Sequence, residues 1–287
     1  MRVRVPVAVA CRVLGLSTQG YYKWRKDPFC QRDYDDAHAI DALLGLHQDD
    51  PTLGYRFLTD ELADAGITAS ENRVWRLCSI AGVFASHHRR RARSGKPGPP
   101  VHDDLLARLD DKGRTRHEFT ATAPNQVWLT DITEHPTAEG KLYLCAVKDV
   151  FSNKIIGYSI DSRMKSSLAA SALRNAIGTR SPAGTICHSD RGSQFRSKKV
   201  VRLLKNNGLR GSMGRVGSSG DNAAMESFFS LLQKNVLDTR RWPTRQELRL
   251  AIVVWIETKY NRRRRQRTLG RLTPVEFETI YTTAAAA

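Results

Sequence analysis

The chain has 287 residues, 40% hydrophobic and 26% charged, with 46 Lys and Arg against 29 Asp and Glu, a formal net charge of +17. That length allows about two domains and a sizeable core. The charge argues against a near-neutral enzyme of small metabolites and for a polyanionic partner, nucleic acid or an anionic membrane surface.

No apolar run approaches the ~18 residues of a membrane span. Lys23, Arg25 and Lys26 follow the short apolar start at residues 5–10, where a cleavable signal would be small and uncharged, so neither insertion nor export is expected. Five scattered cysteines form no C-x-x-C pair, so they read as reduced thiols of a cytosol; Cys145 and Cys187 lie in apolar runs and are expected in the core.

Residues 7–25 read as helix, turn, helix, with Gly15 as stop and Ser17 as cap. This spacing permits a small helix-turn-helix or a plain helical hairpin. Ala39, Leu43 and Leu46 mark a second helical stretch. Thr59 or Asp60 is expected to cap the next helix, which ends near Gly66, and Ser70 the one after. Arg73 and Arg76 suit either phosphate contact or a solvated face. Residues 86–123 read as a linker that opens on a basic run with Arg89, Arg90 and Arg91 and continues through Gly and Pro.

From 124 the pattern turns to mixed α/β. Strands are expected at 127–133, 142–150 and 154–160, joined by short polar turns as an antiparallel meander. A helix at 166–177, a short strand at 185–187, a helix at 198–206, a strand at 209–213, a Gly/Ser loop at 214–220 and a helix at 221–236 follow. This order is that of an RNase H-like fold. The fold class is thus α/β: an RNase H-like core over 124–239, an all-α, helix-turn-helix-like DNA-binding region over 1–85, and a basic helical segment over 240–287. That last segment carries 11 basic and 4 acidic side chains, the densest positive charge of the three regions compared, 1–100, 101–239 and 240–287. The closing Thr/Ala run is expected to fray.

Three acids stand out. Asp131 interrupts the apolar alternation Val127-Trp128-Leu129-Thr130-Asp131-Ile132. Asp190 follows His188-Ser189 in a polar turn, and Glu226 opens an amphipathic helix after Asp221-Asn222; 35 residues separate Asp190 from Glu226. Buried acids are rare, which favours a ligand role for Asp131. Asp190 alone reads equally as an Asx turn, and Glu226 alone as an acid favouring the helix dipole. Together, three carboxylates from strand, turn and helix can hold two divalent cations over a phosphodiester. Asn222, one turn before Glu226, either positions a phosphate or starts the helix; His188 either flanks the metals or is a satisfied strand-end histidine. Arg262, Arg263, Arg264, Arg265 and Arg267 favour phosphate over a solvated face. Trp242 and Trp255 are expected in the core.

The segments Trp128-Leu129-Thr130-Asp131-Ile132-Thr133, Asp149-Val150-Phe151-Ser152, His188-Ser189-Asp190-Arg191-Gly192-Ser193-Gln194 and Asp221-Asn222-Ala223-Ala224-Met225-Glu226 resemble the core of bacterial insertion-sequence transposases. The resemblance is to the second-frame (OrfB) product of two-frame elements in the retroviral-integrase superfamily. Gly54-Tyr55, Asn72-Arg73-Val74, Tyr260-Asn261 and Thr273-Pro274 extend it over nearly the whole chain. Gln266 stands where that family usually has His, and Phe195 where Tyr is common. The resemblance implies a DDE triad of Asp131, Asp190 and Glu226 with two Mg²⁺ or Mn²⁺ ions, and cleavage releasing a 3′-hydroxyl that then attacks another phosphodiester. The 214–220 loop resembles the mobile loop beside integrase active sites. The implied partners are DNA (terminal repeats and target), further copies of the chain and an upstream-frame OrfA product, with no membrane; the implied location is the cytoplasm, at the nucleoid. A non-catalytic DNA-binding regulator and an RNase H-type nuclease without joining activity remain the alternative functions.

Overall fold

The computed structural model describes residues 6–85, 99–109, 115–214 and 223–286. The chain divides into two compact units, 1–87 and 88–287.

The first unit is all helical. Helices α1 (Val7–Val13) and α2 (Thr18–Lys26) form a hairpin in which Ser17 caps α2 through Gly20 N. Cys11 is its one buried residue among those described. Helices α3 (Gln31–Asp49), α4 (Tyr55–Asp64) and α5 (Glu71–Ala81) make the core, built on Ala39, Leu43, Leu58, Leu62, Val74 and Leu77. Ser70 caps α5 as expected. Helix α4 instead begins a turn before Thr59 and Asp60, at Tyr55 after Gly54, because Leu58 belongs to its buried stripe. Thr59 turns its hydroxyl back onto Tyr55 O. Arg73 and Arg76 both reach Asp36 across α3 and α5, holding its carboxyl below the usual range chiefly through the Arg76 bond. Their work is to tie helices together.

The second unit is built on a five-stranded sheet in the order β5-β4-β3-β6-β7: β3 (Val127–Thr137), β4 (Gly140–Asp149), β5 (Ile155–Asp161), β6 (Ile186–Ser189) and β7 (Arg210–Met213). The first three are antiparallel; β6 runs parallel to both β3 and β7. Strand β3 is central, so its first six residues are buried on both faces, and alternation appears only in its outer half. One face carries Val127, Leu129, Leu142, Leu144 and Ala146 under α8 (Ala223–Leu232) and α9 (Arg245–Val254); the other carries Trp128, Ile132, Cys145 and Val147 under α6 (Ser166–Arg180) and α7 (Lys198–Asn206). Helix α6 lies so close to β5 that a Cβ on Gly157 would fall 2.5 Å from Ala176 N, which restricts that position to glycine. Cys145, Cys187, Trp242 and Trp255 are buried as expected.

The stretch read as linker is partly structured. It carries β1 (Ala107–Leu109) paired with β2 (Thr115–His117), and buries Leu106 in the core. Pro and Gly fall at its start, whereas Asp103 and Leu105 fall at the segment that docks beside β7, where Leu105 N donates to Ser212 Oγ and Asp103 O accepts from Met213 N.

The C-terminal segment is scaffold of this same unit. Helix α10 (Pro274–Ala286) opens on a capping box, Thr273 N to Glu276 Oε2 and Glu276 N to Thr273 Oγ1, with proline in the first helical position. It runs helical through Ala286 where fraying is expected, because alanine has the highest helix propensity. Glu278 fastens α10 by accepting from Ser152 Oγ, Lys154 Nζ and Arg180 Nη2. Asn261 acts as a short strand mimic: its Oδ1 accepts from Ile155 N and its Nδ2 donates to Ile155 O, both at 3.0 Å. Asn261→Ala strands both buried backbone groups, at ~1–3 kcal/mol each less relaxation. A loss of about 3 kcal/mol in urea unfolding is expected; a loss below about 0.5 kcal/mol would remove Asn261 from this role.

Candidate active site

Asp131, inside β3, and Asp190, just past the end of β6, are neighbours across the sheet. Thr130 and Ser189 are register partners on the parallel strands β3 and β6, so the two aspartates are the next residues along each strand. Asp131 shares its face with Val127 and Leu129, and Asp190 shares the face of His188, the partner of Leu129. Helix α8 covers this face through Met225, Phe228 and Leu232, which sets Glu226 in its first turn at the flank of the buried stripe. All three acids therefore belong to one face of the sheet and the helix packed on it.

Their environments differ. Asp131 is 6% exposed, and its Oδ1 accepts from Ile132 N at 2.7 Å. Asp190 is exposed and forms the Asx turn, accepting from Gly192 N at 2.9 Å. A Cβ on Gly192 would press on that same carboxylate oxygen at 2.9 Å, so glycine gives it room. Arg191 Nε ties the turn to Gly214 O. Glu226 is half-buried. Charge from Asp131 and Asp190 reaches the Cys145 thiol, whose pKa is raised mainly by burial and further by both carboxylates.

The donors are all carboxylate oxygens, which suits a hard divalent cation. Among the described residues no three His, Cys, Asp or Glu side chains are gathered closely enough to form a metal group. Asp131 and Asp190 each accept from a neighbouring backbone N–H, which favours the ionised carboxylate.

Other expected site residues distribute as follows. His188 is 1% exposed, and its Nδ1 lies 2.9 Å from Ser212 Oγ, the satisfied strand-end arrangement. Arg262, Arg263 and Arg267 are exposed and Arg265 is half-buried. Arg264 is also half-buried, with its pKa lowered to about 10 by desolvation, so the arginine run is not one solvated face. Gln266 pairs its backbone with Leu272, beside Tyr260. Phe195 is a core residue. Asn222, Arg89, Arg90, Arg91 and most of the 214–220 loop lie outside the described residues.

Three further groups escape sequence reasoning. Asp149 is fully buried on the opposite face from Asp131, opposite Trp128, where Asn125 N and Phe151 N satisfy it; desolvation raises its pKa against those bonds. Face parity distinguishes this structural acid from the three candidates. His117 pairs with Asp104 at 2.6 Å, stacks on Phe119 and lies 5.7 Å from the His188 ring, contacts that only tertiary folding creates. Lys148 is 4% exposed on the Asp131 face and donates to Ala224 O in the first turn of α8. A lone cation in the apolar run at 142–150 was its signal.

Burial lowers the Lys148 pKa from 10.5 to about 8. Below about pH 8 it is charged in both folded and unfolded chains, and the fold carries the whole desolvation cost. Between about 8 and 10.5 the folded form sheds its proton first, so that cost recedes as pH rises. Lys148→Met is expected to stabilise the fold at pH 7 by about 2–3 kcal/mol, taking ~1.4 kcal/mol for each tenfold change in the proton equilibrium, with the gain shrinking towards pH 10.5. Chemical unfolding across this range checks it; a wild-type stability that is flat there contradicts a desolvated ammonium.

Comparison with known proteins defines the class first. The family described as "Integrase core domain" matches residues 121–219, a second family of that description matches 207–274, and "HTH-like domain" matches 33–91. The helix-turn-helix match thus spans α3 to α5 and not the 7–25 hairpin. Over 280 residues, 96% of this chain and all of the relative, it is 36% identical to an insertion element IS600 uncharacterized 31 kDa protein of Shigella sonnei. It is 36% identical to the transposase for insertion sequence element IS904 of Lactococcus lactis over 81% of this chain and 90% of the relative. Transposase InsF for insertion sequence IS3A of Escherichia coli is 34% identical over 95% of this chain and 93% of its own. The chain belongs to the insertion-sequence transposase family. It is a DDE-type polynucleotidyl transferase with an RNase H-like integrase core, whose reaction is metal-dependent DNA strand cleavage and strand transfer.

Proposed function

We propose that Asp131, Asp190 and Glu226 are the three catalytic carboxylates of this transposase. The observation that carries this is their common face: Asp131 inside the central strand β3 and Asp190 just past the end of its parallel neighbour β6, beneath the helix that bears the glutamate. Their oxygen-only donor set suits Mg²⁺ or Mn²⁺, with Asp131 as the shared ligand and Asp190 and Glu226 completing two sites. When bound, two such ions supply a nucleophile at neutral pH and stabilise the leaving oxygen, so no separate protein base is needed.

The residues divide the remaining work. Buried Asp131 supplies a rigid carboxylate from the sheet centre, while exposed Asp190 faces incoming substrate from a turn fixed by Gly192 and Arg191. Glu226 comes from the far side on α8, whose start Lys148 anchors. DNA is the substrate, both as element ends and as target. Arg262, Arg263, Arg265 and Arg267 hold phosphates together with Arg89, Arg90 and Arg91, and Asn222 orients the substrate beside Glu226. Because two ends must be held at once, several copies act together on DNA, with an upstream-frame OrfA product aiding end recognition. Among the described residues no helix is long and apolar enough to cross a membrane; the place of action is that of the DNA, in the cytoplasm at the nucleoid.

The test is Mn²⁺-dependent reaction of the chain with labelled DNA carrying the repeats that flank its gene. Free 3′-hydroxyl ends and joined strands are the expected products. Nicked products that never join would leave a nuclease, and binding without any cut would leave a regulator.

A further inference from the structure

The outer face of α6 and α7 carries charge that the catalytic reading does not use. Between residues 162 and 220 the sequence holds 12 Lys and Arg and one acid, Asp190. That is denser than the C-terminal segment, and a division of the chain at 101 and 239 averages it away. Helix α7 packs Val200 and Leu204 inward and exposes Lys198, Lys199, Arg202 and Lys205. Between it and α6 runs a groove of about 370 Å³, floored by Ala170 and Leu203 and edged by Arg174, Lys199, Arg202 and Asn206.

None of these cations meets a carboxylate among the described residues; Arg174 bonds only Ser171 Oγ, at 3.4 Å. Two exposed cations elsewhere on the same unit are paired, Lys141 with Glu134 and Arg240 with Glu247. Neither helix contains an acid. A solvated face mixes signs; an acid-free, concave, one-signed strip is complementary to a polyanion.

We propose that the α6–α7 groove is a second DNA-binding surface, which takes the phosphate backbone of a duplex. It lies on the helices that cover the Trp128 face of the sheet, opposite the face of Asp131, so the duplex it holds is not the strand being cut at these carboxylates. Arg174, Lys199 and Arg202 contact phosphates; Lys198 and Lys205 extend the track along α7. No base contact is implied, so binding is independent of sequence. The inference deepens the transposase reading by giving the protein a place for DNA beyond the reacting end.

The test uses the full chain and a duplex of arbitrary sequence, about 30 base pairs long, with affinity followed across a salt series. The Arg174→Gln, Lys199→Gln, Arg202→Gln triple variant alters exposed side chains only. Each lost phosphate contact lowers the slope of log K against log salt by ~0.9, so the triple should lose about 2 to 3. In the wild type, saturating duplex should protect Lys199 and Lys205 from acetylation and leave Lys141 reactive. An unchanged slope, or Lys199 acetylated at the same rate with and without duplex, overturns the proposal. Glu226→Gln should keep the wild-type slope. A wild-type chain that shows its full slope yet cuts no end DNA would sink the catalytic reading and leave this surface standing.

Discussion

Glu226→Gln and Asp131→Asn are expected to abolish both cleavage and strand transfer, by at least roughly a thousandfold or about 4 kcal/mol of barrier, while duplex affinity stays at the wild-type value. The substitutions are nearly isosteric and each removes one negative charge from the face that carries the three acids, so the fold should tolerate them. Asp149→Asn serves as the contrast. It sits on the other face and accepts two backbone N–H groups, so its loss should cost stability before it costs chemistry. Single-turnover assays on end DNA, paired with binding and unfolding curves, check all three. An Asp131→Asn variant that still joins strands would remove the central ligand, and the triad with it.

The second large effect concerns the fold. Glu278→Ala should destabilise the second unit by about 3–5 kcal/mol, because it leaves Arg180 and Lys154 without their shared carboxylate in a largely buried setting. Burial alone would raise the Glu278 pKa; the bonds from Arg180, Ser152 and Lys154 outweigh it, and the group titrates below its ordinary 4.5. A depressed carboxylate contributes stability that is complete above the unfolded pKa near 4.5 and is lost as pH falls through the lower folded value. The wild type should therefore weaken below about pH 4.5, and the variant should lose that part of its acid sensitivity. Urea unfolding at pH 7 and pH 4 measures both. A loss under about 1 kcal/mol at pH 7 would mean the network is solvent-screened.

Much of this was legible in the chain because local chemistry wrote it there. Ser17 and Ser70 cap helices where short polar residues precede apolar periodicity. Period-two alternation and short turns gave the antiparallel meander, and Asp131 stood out as an acid in it. What was hidden depends on tertiary contact. The β1–β2 pair is only three residues a side and gains its stability by docking beside β7. His117 meets Asp104 and His188 only once that docking has occurred. The motifs Tyr260-Asn261 and Thr273-Pro274, which carried the family resemblance, prove to be a strand mimic and a helix start. They are scaffold, and sequence alone does not separate scaffold from site. Likewise Arg73 and Arg76 offer charge for phosphate in sequence and spend it on Asp36 in the fold.

The most direct measurement is diffraction from crystals of the full chain soaked in Mn²⁺, with anomalous scattering to locate the ions. Manganese coordinated by Asp131, Asp190 and Glu226 is the expected result. Manganese bound elsewhere, with none at the three carboxylates at concentrations that support strand transfer, would contradict the assignment of the three acids.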